Sequence, residues 1–270
     1  MSRITKTFKA IAAIIKNPWL LNRVLSSPDL YKQHINEKYD KLKGLPVIDP
    51  SSLFGDNYSA RLEIFTFLDG GSMVTDIALL KLIAKSIKAC KFFEIGTWRG
   101  ESVSNLVDET SECYTLNLSD DDLRKMQVNE RTIGLQGYFS KGNSKIVQIK
   151  ANTRDFDFSS LGKKFDLIFI DGDHHYDMVV NDTKKVFGHL LHEDSIVVWH
   201  DYAVNPEEIR YEVMSGILDG TPREFHNRIY HVAHTKCAIF INREMKSNVL
   251  ESPVKPGFYY NVDISYKKVH

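Results

Sequence analysis

Cysteine is scarce: Cys90, Cys113 and Cys237 are the only three in 270 residues, and no two lie close together. That leaves no basis for a disulfide framework or a cysteine-rich zinc module, and an odd count suits a reducing, cytoplasmic setting. An excess of one charge is missing too, since 35 Lys and Arg balance 35 Asp and Glu. Such a chain lacks the uniform positive field on which non-specific nucleic-acid binders depend, so no nucleic-acid partner is expected. No apolar run approaches the ~20 residues of a membrane span. The apolar stretch Phe8–Ile15 is broken by Lys9, is followed by Lys16-Asn17-Pro18 and has no small-residue cleavage site. It reads as a helix and not as a signal peptide. Repeats and low-complexity tracts are absent. What remains is an ordinary globular composition, 43% hydrophobic and 26% charged, which predicts one large domain with an extension.

The extension and linker are expected over residues 1–60. Ile4, Phe8, Ile11 and Ile15 fall at helical spacing, Pro18 ends the helix, and Leu20, Leu21, Val24 and Leu25 begin another. Basic residues occur here without an acid until Asp29. Of two readings, a helix packed on the body or on a second copy in a homo-oligomer is favoured over a peripheral membrane or partner-binding helix. Turn formers crowd residues 40–60, which read as a linker. Thr75 is expected to cap a helix with a broad apolar face running from Ile77 to Ile87. From residue 91, short apolar runs alternate with helical stretches: Phe92–Ile95, Tyr114–Leu116, Ile146–Ile149, Phe165–Ile170 and Ile196–Trp199, with the clearest helix over Val179–Leu191. Ile229–Val232 and Cys237–Ile241 are close enough to form a hairpin. The expected fold is therefore α/β, a Rossmann-like doubly wound, mostly parallel seven-stranded sheet. An antiparallel C-terminal hairpin forms its edge, and a helical extension precedes it. The domain would span 61–245 and a tail over 246–270 would pack on it.

In such a sheet, ligands gather at the carboxyl ends of the strands. The first strand-to-helix turn reads Glu94-Ile95-Gly96-Thr97-Trp98-Arg99-Gly100-Glu101-Ser102. Its glycines permit a tight turn and close approach of a ligand. The third glycine of a nicotinamide fingerprint is missing, and an acidic residue before the turn suits a cationic ligand better than a pyrophosphate. Polar residues recur at every later strand end: Asn117-Leu118-Ser119-Asp120, Ala151-Asn152-Thr153-Arg154, Asp171-Gly172-Asp173-His174-His175-Tyr176 and His200-Asp201-Tyr202. His226, His231 and His234 are read as core or surface filling.

The stretch from about 65 to 202 resembles class I S-adenosylmethionine-dependent methyltransferases, and among them the small-molecule O-methyltransferase branch that includes catechol and macrocin enzymes. Phe93–Gly100, Phe165–Tyr176 and Val197–Tyr202 carry the likeness, the middle segment most specifically. The resemblance implies S-adenosylmethionine as cofactor, with Glu94, Gly96, Thr97, Gly100 and Ser102 around its methionine part and Trp98 and Asp171 also in the cofactor site. It places Asn117 at the ribose and Asn152 with Thr153 at the adenine. Asn117 and Asn152 stand where acids are usual, which removes charge assistance from those hydrogen bonds. A divalent cation (Mg, Mn or Zn) would be held by Asp171, His200 and Asp201, His200 replacing the usual carboxylate. An imidazole there favours the softer ions. Where no metal acts, His174 is the candidate base, with Asp173 orienting it or taking the proton. The implied reaction is methyl transfer to a hydroxyl of a small acceptor such as a sugar, phenol or secondary metabolite. The alternatives are a non-catalytic nucleoside-cofactor-binding module, which the amide replacements favour, and a methyltransferase acting on a macromolecule.

Overall fold

The computed structural model describes residues 1–25, 27–39 and 42–269. Asp40 and Lys41, at the start of the expected linker, and His270, at the end of the expected tail, lie outside them. In chain order the helices are α1 (Arg3–Lys16), α2 (Leu20–Leu25), α3 (Pro28–Lys38), α4 (Ser51–Phe54), α5 (Val74–Ser86), α6 (Glu101–Leu106), α7 (Asp120–Lys125), α8 (Glu130–Leu135), α9 (Tyr176–His189) and α10 (Tyr211–Gly220). The strands are β1 (Val47–Ile48), β2 (Lys91–Ile95), β3 (Glu112–Asn117), β4 (Ile146–Lys150), β5 (Leu167–Ile170), β6 (Ile196–Trp199), β7 (Ala203–Asn205), β8 (Glu208–Ile209), β9 (Ile229–Val232) and β10 (Ala238–Ile241).

Among the described residues one sheet has eight strands in the order β1-β9-β10-β6-β5-β2-β3-β4. The block from β4 to β6 is parallel, and β10 runs antiparallel between β6 and β9. This is the expected Rossmann-like architecture with one strand more than expected. The addition is β1, which lies in the segment read as linker and pairs in parallel with β9, so the hairpin is not the outermost element. Two residues bounded by Pro46 and Pro50 carry too little periodicity to announce a strand; the edge of β9 supplies the hydrogen bonds. Two helix boundaries also differ. Met73, not Thr75, holds the cap position of α5, because the Asp76 carboxylate accepts the Met73 N–H at 2.7 Å. The helix expected over Val179–Leu191 begins at Tyr176 and ends at His189.

The period-two alternation of the central strands feeds two separate cores. Phe93, Ile95, Ile168, Ile170, Val197 and Trp199 face α9 and α10, where Val179, Val186, Val213, Met214 and Ile217 are buried. Phe92, Leu167, Phe169 and Val198 face α5 and α6, where Ile77, Leu80, Ile83, Val103 and Leu106 close the other side. Burial on both faces explains the unbroken apolar run of β5, and each such side chain contributes roughly 1.5–3 kcal/mol. The chain leaves β4 at one edge and returns beside β2 as β5, so the strand order reverses between these two. Level register (Ile95 beside Leu116 and Ile170, Ile170 beside Trp199) brings their ends to one height. The loops that follow therefore emerge together at the switch point, where an open parallel sheet binds ligands.

Outside the sheet, α3 lies on α10. Asp219, near the end of α10, receives Lys38 Nζ at 2.8 Å, the Tyr39 hydroxyl and Tyr176 Oη at 2.6 Å, and faces His34 Nε2 at 2.9 Å. By contrast, α1 and α2 contain no buried residue, so the favoured packing of this arm on the body is not seen.

Candidate functional site

The turn after β2 is built against the tip of β5. Gly96 sits at φ +91°, and a Cβ there would stand 2.0 Å from the Asp171 carbonyl oxygen. Gly100, at φ +79°, would bring a Cβ to 2.7 Å from Ser140 Oγ. Both positions need glycine for two reasons: the left-handed conformation and the absence of room. Trp98 (φ +41°) and Asp201 (φ +53°) are non-glycine residues held in the same region, both at strand tips, where such outliers gather around functional sites. Arg99 pins the loop before α5 over this turn. Its guanidinium donates to the carbonyls of Leu68 and Asp69 and pairs with Glu101 at 3.3 Å. The Trp98 indole N–H is buried and has no partner among the described residues, and it lies beneath Gly70.

Glu94 is fully buried at the end of β2. Its carboxyl accepts the Ser102 hydroxyl and, at 2.9 Å, the Thr115 hydroxyl. Burial raises its pKa to about 8 against the downward pull of those two hydrogen bonds. A fixed carboxyl in this state is primed to ionise when a cation arrives beside it. Thr97 is buried and shares a short hydrogen bond with Thr115. Asn117, at the end of β3, donates its amide to Gln136 Oε1 at 2.8 Å. Asn152 folds back to accept the Arg154 N–H at 3.0 Å, while Thr153 is buried beside Asn181. The resemblance-derived cofactor residues thus fall on the tips of β2, β3, β4 and β5, around one end of the sheet.

The second half of the site is a chain of carboxylates and cations beyond β5 and β6. Asp171, His200 and Asp201 offer ligand atoms that all lie within 4.8 Å of one another. His200 is 5% exposed, and its Nε2 faces Asp76 Oδ2 at 3.0 Å. Asp76 is fully buried and also accepts the Lys236 N–H. Its carboxylate is placed to accept the Nε2 proton, which in a neutral ring would leave the lone pair on Nδ1. That Nδ1 lies 3.0 Å from Asp171 Oδ1 and 3.5 Å from Asp201 Oδ1 without an aligned hydrogen bond to either. An orphaned buried nitrogen aimed between two carboxylates is the donor set a divalent ion takes. The same place attracts a proton. Burial disfavours the imidazolium, yet Asp171 and Asp76 outweigh it and push the His200 pKa well above its usual value. Asp201 accepts Lys236 Nζ at 2.7 Å and Arg210 Nη1 at 3.2 Å, and faces His174 Nε2 at 3.0 Å. Burial would raise its pKa, but His200, His174 and Lys236 hold it down at about 2.

His174 faces solvent on its other side, at the edge of a cavity of about 190 Å³ lined by Asp173, His174, His175, Arg210 and Glu212. Asp173 does not orient His174, as expected from their adjacency. It accepts the His175 N–H at 2.9 Å and faces the His175 ring, because the turn into α9 folds it onto the residue two ahead. Asp201 takes the orienting role instead. Three participants had no sequence signal of their own: Asp76 reads as a first-turn helix acid, Lys236 as a hairpin-turn residue, and Arg210 as a loop cation. Of the histidines near the hairpin, His231 is buried with Nε2 on the Thr235 carbonyl, His226 faces the Thr221 carbonyl, and His234 stacks on Phe258. They form no cluster.

Residues 93–202 match the family model described as "Methyltransferase domain". Among curated proteins, no relative matches the chain. Solved structures similar to it include the O-methyltransferase from Bacillus cereus in complex with SAH, at 16% identity and a TM-score of 0.45, covering 64% of this chain and 84% of that one. Another is the SAH-bound methyltransferase PaMTH1 of Podospora anserina, at 19% identity and a TM-score of 0.46, with 66% and 81% covered. A third is the O-methyltransferase TomG from Streptomyces achromogenes, involved in tomaymycin synthesis, in complex with SAM, at 15% and 0.41, with 65% and 83% covered.

Proposed function

From the match of residues 93–202 to the methyltransferase-domain family model we propose that the chain is an S-adenosylmethionine-dependent methyltransferase that acts on a hydroxyl of a small polar acceptor. The observation that carries this reading is the junction at the switch point. A glycine turn pressed on the Asp171 backbone lies next to a carboxylate-bound histidine that opens on a cavity lined by Asp173, His175, Arg210 and Glu212. Glu94, Gly96, Thr97, Trp98, Gly100, Ser102 and Asp171 would hold the methionine end of S-adenosylmethionine, and Asn117, Asn152 and Thr153 the nucleoside. When bound, the cofactor supplies an electrophilic methyl on a sulfonium. The Asn117 amide already donates to Gln136, which leaves its carbonyl oxygen to accept a ribose hydroxyl.

Methyl transfer to oxygen requires the acceptor hydroxyl to be positioned and its proton removed. His174 is placed for the proton: its Nε2 meets the Asp201 carboxylate at 3.0 Å, which fixes the orientation of the ring at the edge of the cavity. Arg210 and Glu212 give the cavity charges of both signs, which suits an acceptor bearing several hydrogen-bonding groups over an apolar one. Asp171, His200 and Asp201 fit a divalent cation by the orphaned His200 Nδ1 and its Asp76 partner. Such an ion would lower the pKa of a bound hydroxyl. Lys236, already on Asp201, brings positive charge to the same spot and would be displaced from it or share it. Free, buried Cys90, Cys113 and Cys237 accord with a cytoplasmic location.

The test is isothermal titration with S-adenosylmethionine, with and without Mn²⁺, followed by incubation with a pool of hydroxylated small molecules and methyl-labelled donor. Donor binding with label in an ether product is the expected result. Donor binding without product from any pool, with label retained on the donor, would favour the non-catalytic module. Absence of donor binding would overturn the reading altogether.

A further inference from the structure

We infer that the N-terminal arm, α1 with α2, docks the protein onto an anionic lipid surface. The apolar row of α1 is not a core face: Ile4, Phe8, Ile11 and Ile15 are 70%, 69%, 49% and 73% exposed, and no residue of α1 or α2 is buried. At 100° per residue these four fall within one narrow stripe, roughly 16 Å long from Ile4 to Ile15. Lys9 and Lys16 project from one flank of that stripe, Arg3 from the other, and Lys6 from the far side. Long cationic side chains beside an apolar row can reach headgroups while the row enters the acyl boundary. After Pro18 the pattern continues with Trp19, 56% exposed, and Arg23, whose guanidinium lies 5.2 Å above the indole ring. An amphipathic indole beside a cation suits the headgroup level.

Charge selects the occupant. Residues 1–28 hold five cations (Arg3, Lys6, Lys9, Lys16 and Arg23) and no acid. Because the whole chain is neutral, the remainder carries a net charge of minus five. A negative surface therefore attracts the arm and repels the body, which fixes an orientation with the arm down and the body away. Pairing of α1 with α1 of a second copy would set lysines against lysines without a single acid to relieve them. A lipid surface containing phosphatidylglycerol or phosphatidylserine meets both halves of the pattern, with each cation near the surface contributing about a fivefold gain in partition.

The experiment is flotation of the full chain with vesicles of phosphatidylcholine alone and of phosphatidylcholine with about one-third phosphatidylglycerol. Size-exclusion chromatography with light scattering gives the oligomeric state, and far-ultraviolet dichroism confirms that each variant is folded. The expected result is binding to the anionic vesicles only, weakened on going from about 0.1 M to 1 M salt. Lys6→Gln/Lys9→Gln/Lys16→Gln together should lower partition by roughly 100-fold, and Phe8→Ser/Ile11→Ser should abolish it, both leaving donor binding intact. Equal binding to both vesicle types, or binding to neither, overturns the inference. So does an oligomer that Phe8→Ser/Ile11→Ser dissolves while vesicle binding is absent, which would assign the stripe to protein contact.

Discussion

At the scale of single residues, the site is decided by what occupies a few atoms' worth of space. Gly96→Ala must place a methyl carbon 2.0 Å from the Asp171 carbonyl oxygen at a φ that disfavours any side chain. We expect loss of S-adenosylmethionine binding beyond calorimetric detection, together with destabilisation of about 1–3 kcal/mol, read by urea unfolding. Asp201→Asn removes the charge that steadies His174 and receives Lys236 and Arg210. Turnover should fall by about 10²–10⁴ while the donor dissociation constant is preserved, since none of those contacts belongs to the glycine turn. Glu94 makes a pH prediction. Its carboxyl titrates near 4.5 when exposed and at about 8 in the folded protein, because burial penalises the charge. A folded pKa above the unfolded one means that the unfolded state ionises first as pH rises. The associated stability is therefore fully present below about 4.5 and lost progressively up to about 8. The donor-free protein should melt at falling temperature from pH 5 to 8, and Glu94→Gln should flatten that decline. An unchanged slope in the variant would show that Glu94 is not the group responsible.

At the scale of elements, the question is what ties the N-terminal helices to the domain. The attachment point is one carboxylate: Asp219 on α10 gathers Lys38, Tyr39 and His34 from the end of α3, and Tyr176 from the start of α9. Burial opposes its ionisation, but the hydrogen bonds from Lys38, Tyr176, Tyr39 and His34 prevail and lower its pKa to about 2. This interaction is therefore present above about pH 4 and lost as pH falls towards 2. Asp219→Ala should cost about 2–3 kcal/mol and expose the α3 segment to trypsin before the sheet is cut. Tyr31 also donates to Glu212, which lines the cavity, so loosening α3 should raise KM for the acceptor more than it lowers kcat. Uniform proteolysis of α3 and the sheet would contradict a separable attachment.

At the scale of the whole molecule, the sheet behaves as a platform whose two sides hold separate cores and whose one end holds the chemistry. Ligand binding at that end should stabilise the entire domain by mass action. Saturation at 100 times the dissociation constant corresponds to about 2.7 kcal/mol. The midpoint should rise by several degrees with S-adenosylmethionine, and further with Mn²⁺ if the Asp171, His200 and Asp201 set accepts it. A rise with the donor that Asp201→Asn leaves untouched, beside a Mn²⁺ effect that it removes, would separate the two binding events.

How much of this was legible beforehand follows from the range of the forces involved. Strands β2, β5, β6, β9 and β10 were readable because burial on both faces demands apolar runs, the half-buried β3 and β4 from shorter apolar stretches, and the strand-tip residues because each directly follows such a run. Strand β1 was not, since two residues between prolines have no period to detect. The exposed stripe of α1 was visible as a pattern, but whether it was covered depended on where the chain carried it. The sequence by itself determined the parallel α/β architecture and the clustering of Glu94, Gly96, Asp171, His200 and Asp201 at the strand ends, because hydrophobic periodicity and glycine geometry are local. Only the tertiary structure decided that Asp76 from α5 holds His200, that Lys236 from the hairpin meets Asp201, and that Asp201 and not Asp173 steadies His174. Such pairings span up to 124 residues of chain, and no local rule of spacing can anticipate which charges the packing of helices on a sheet will bring face to face.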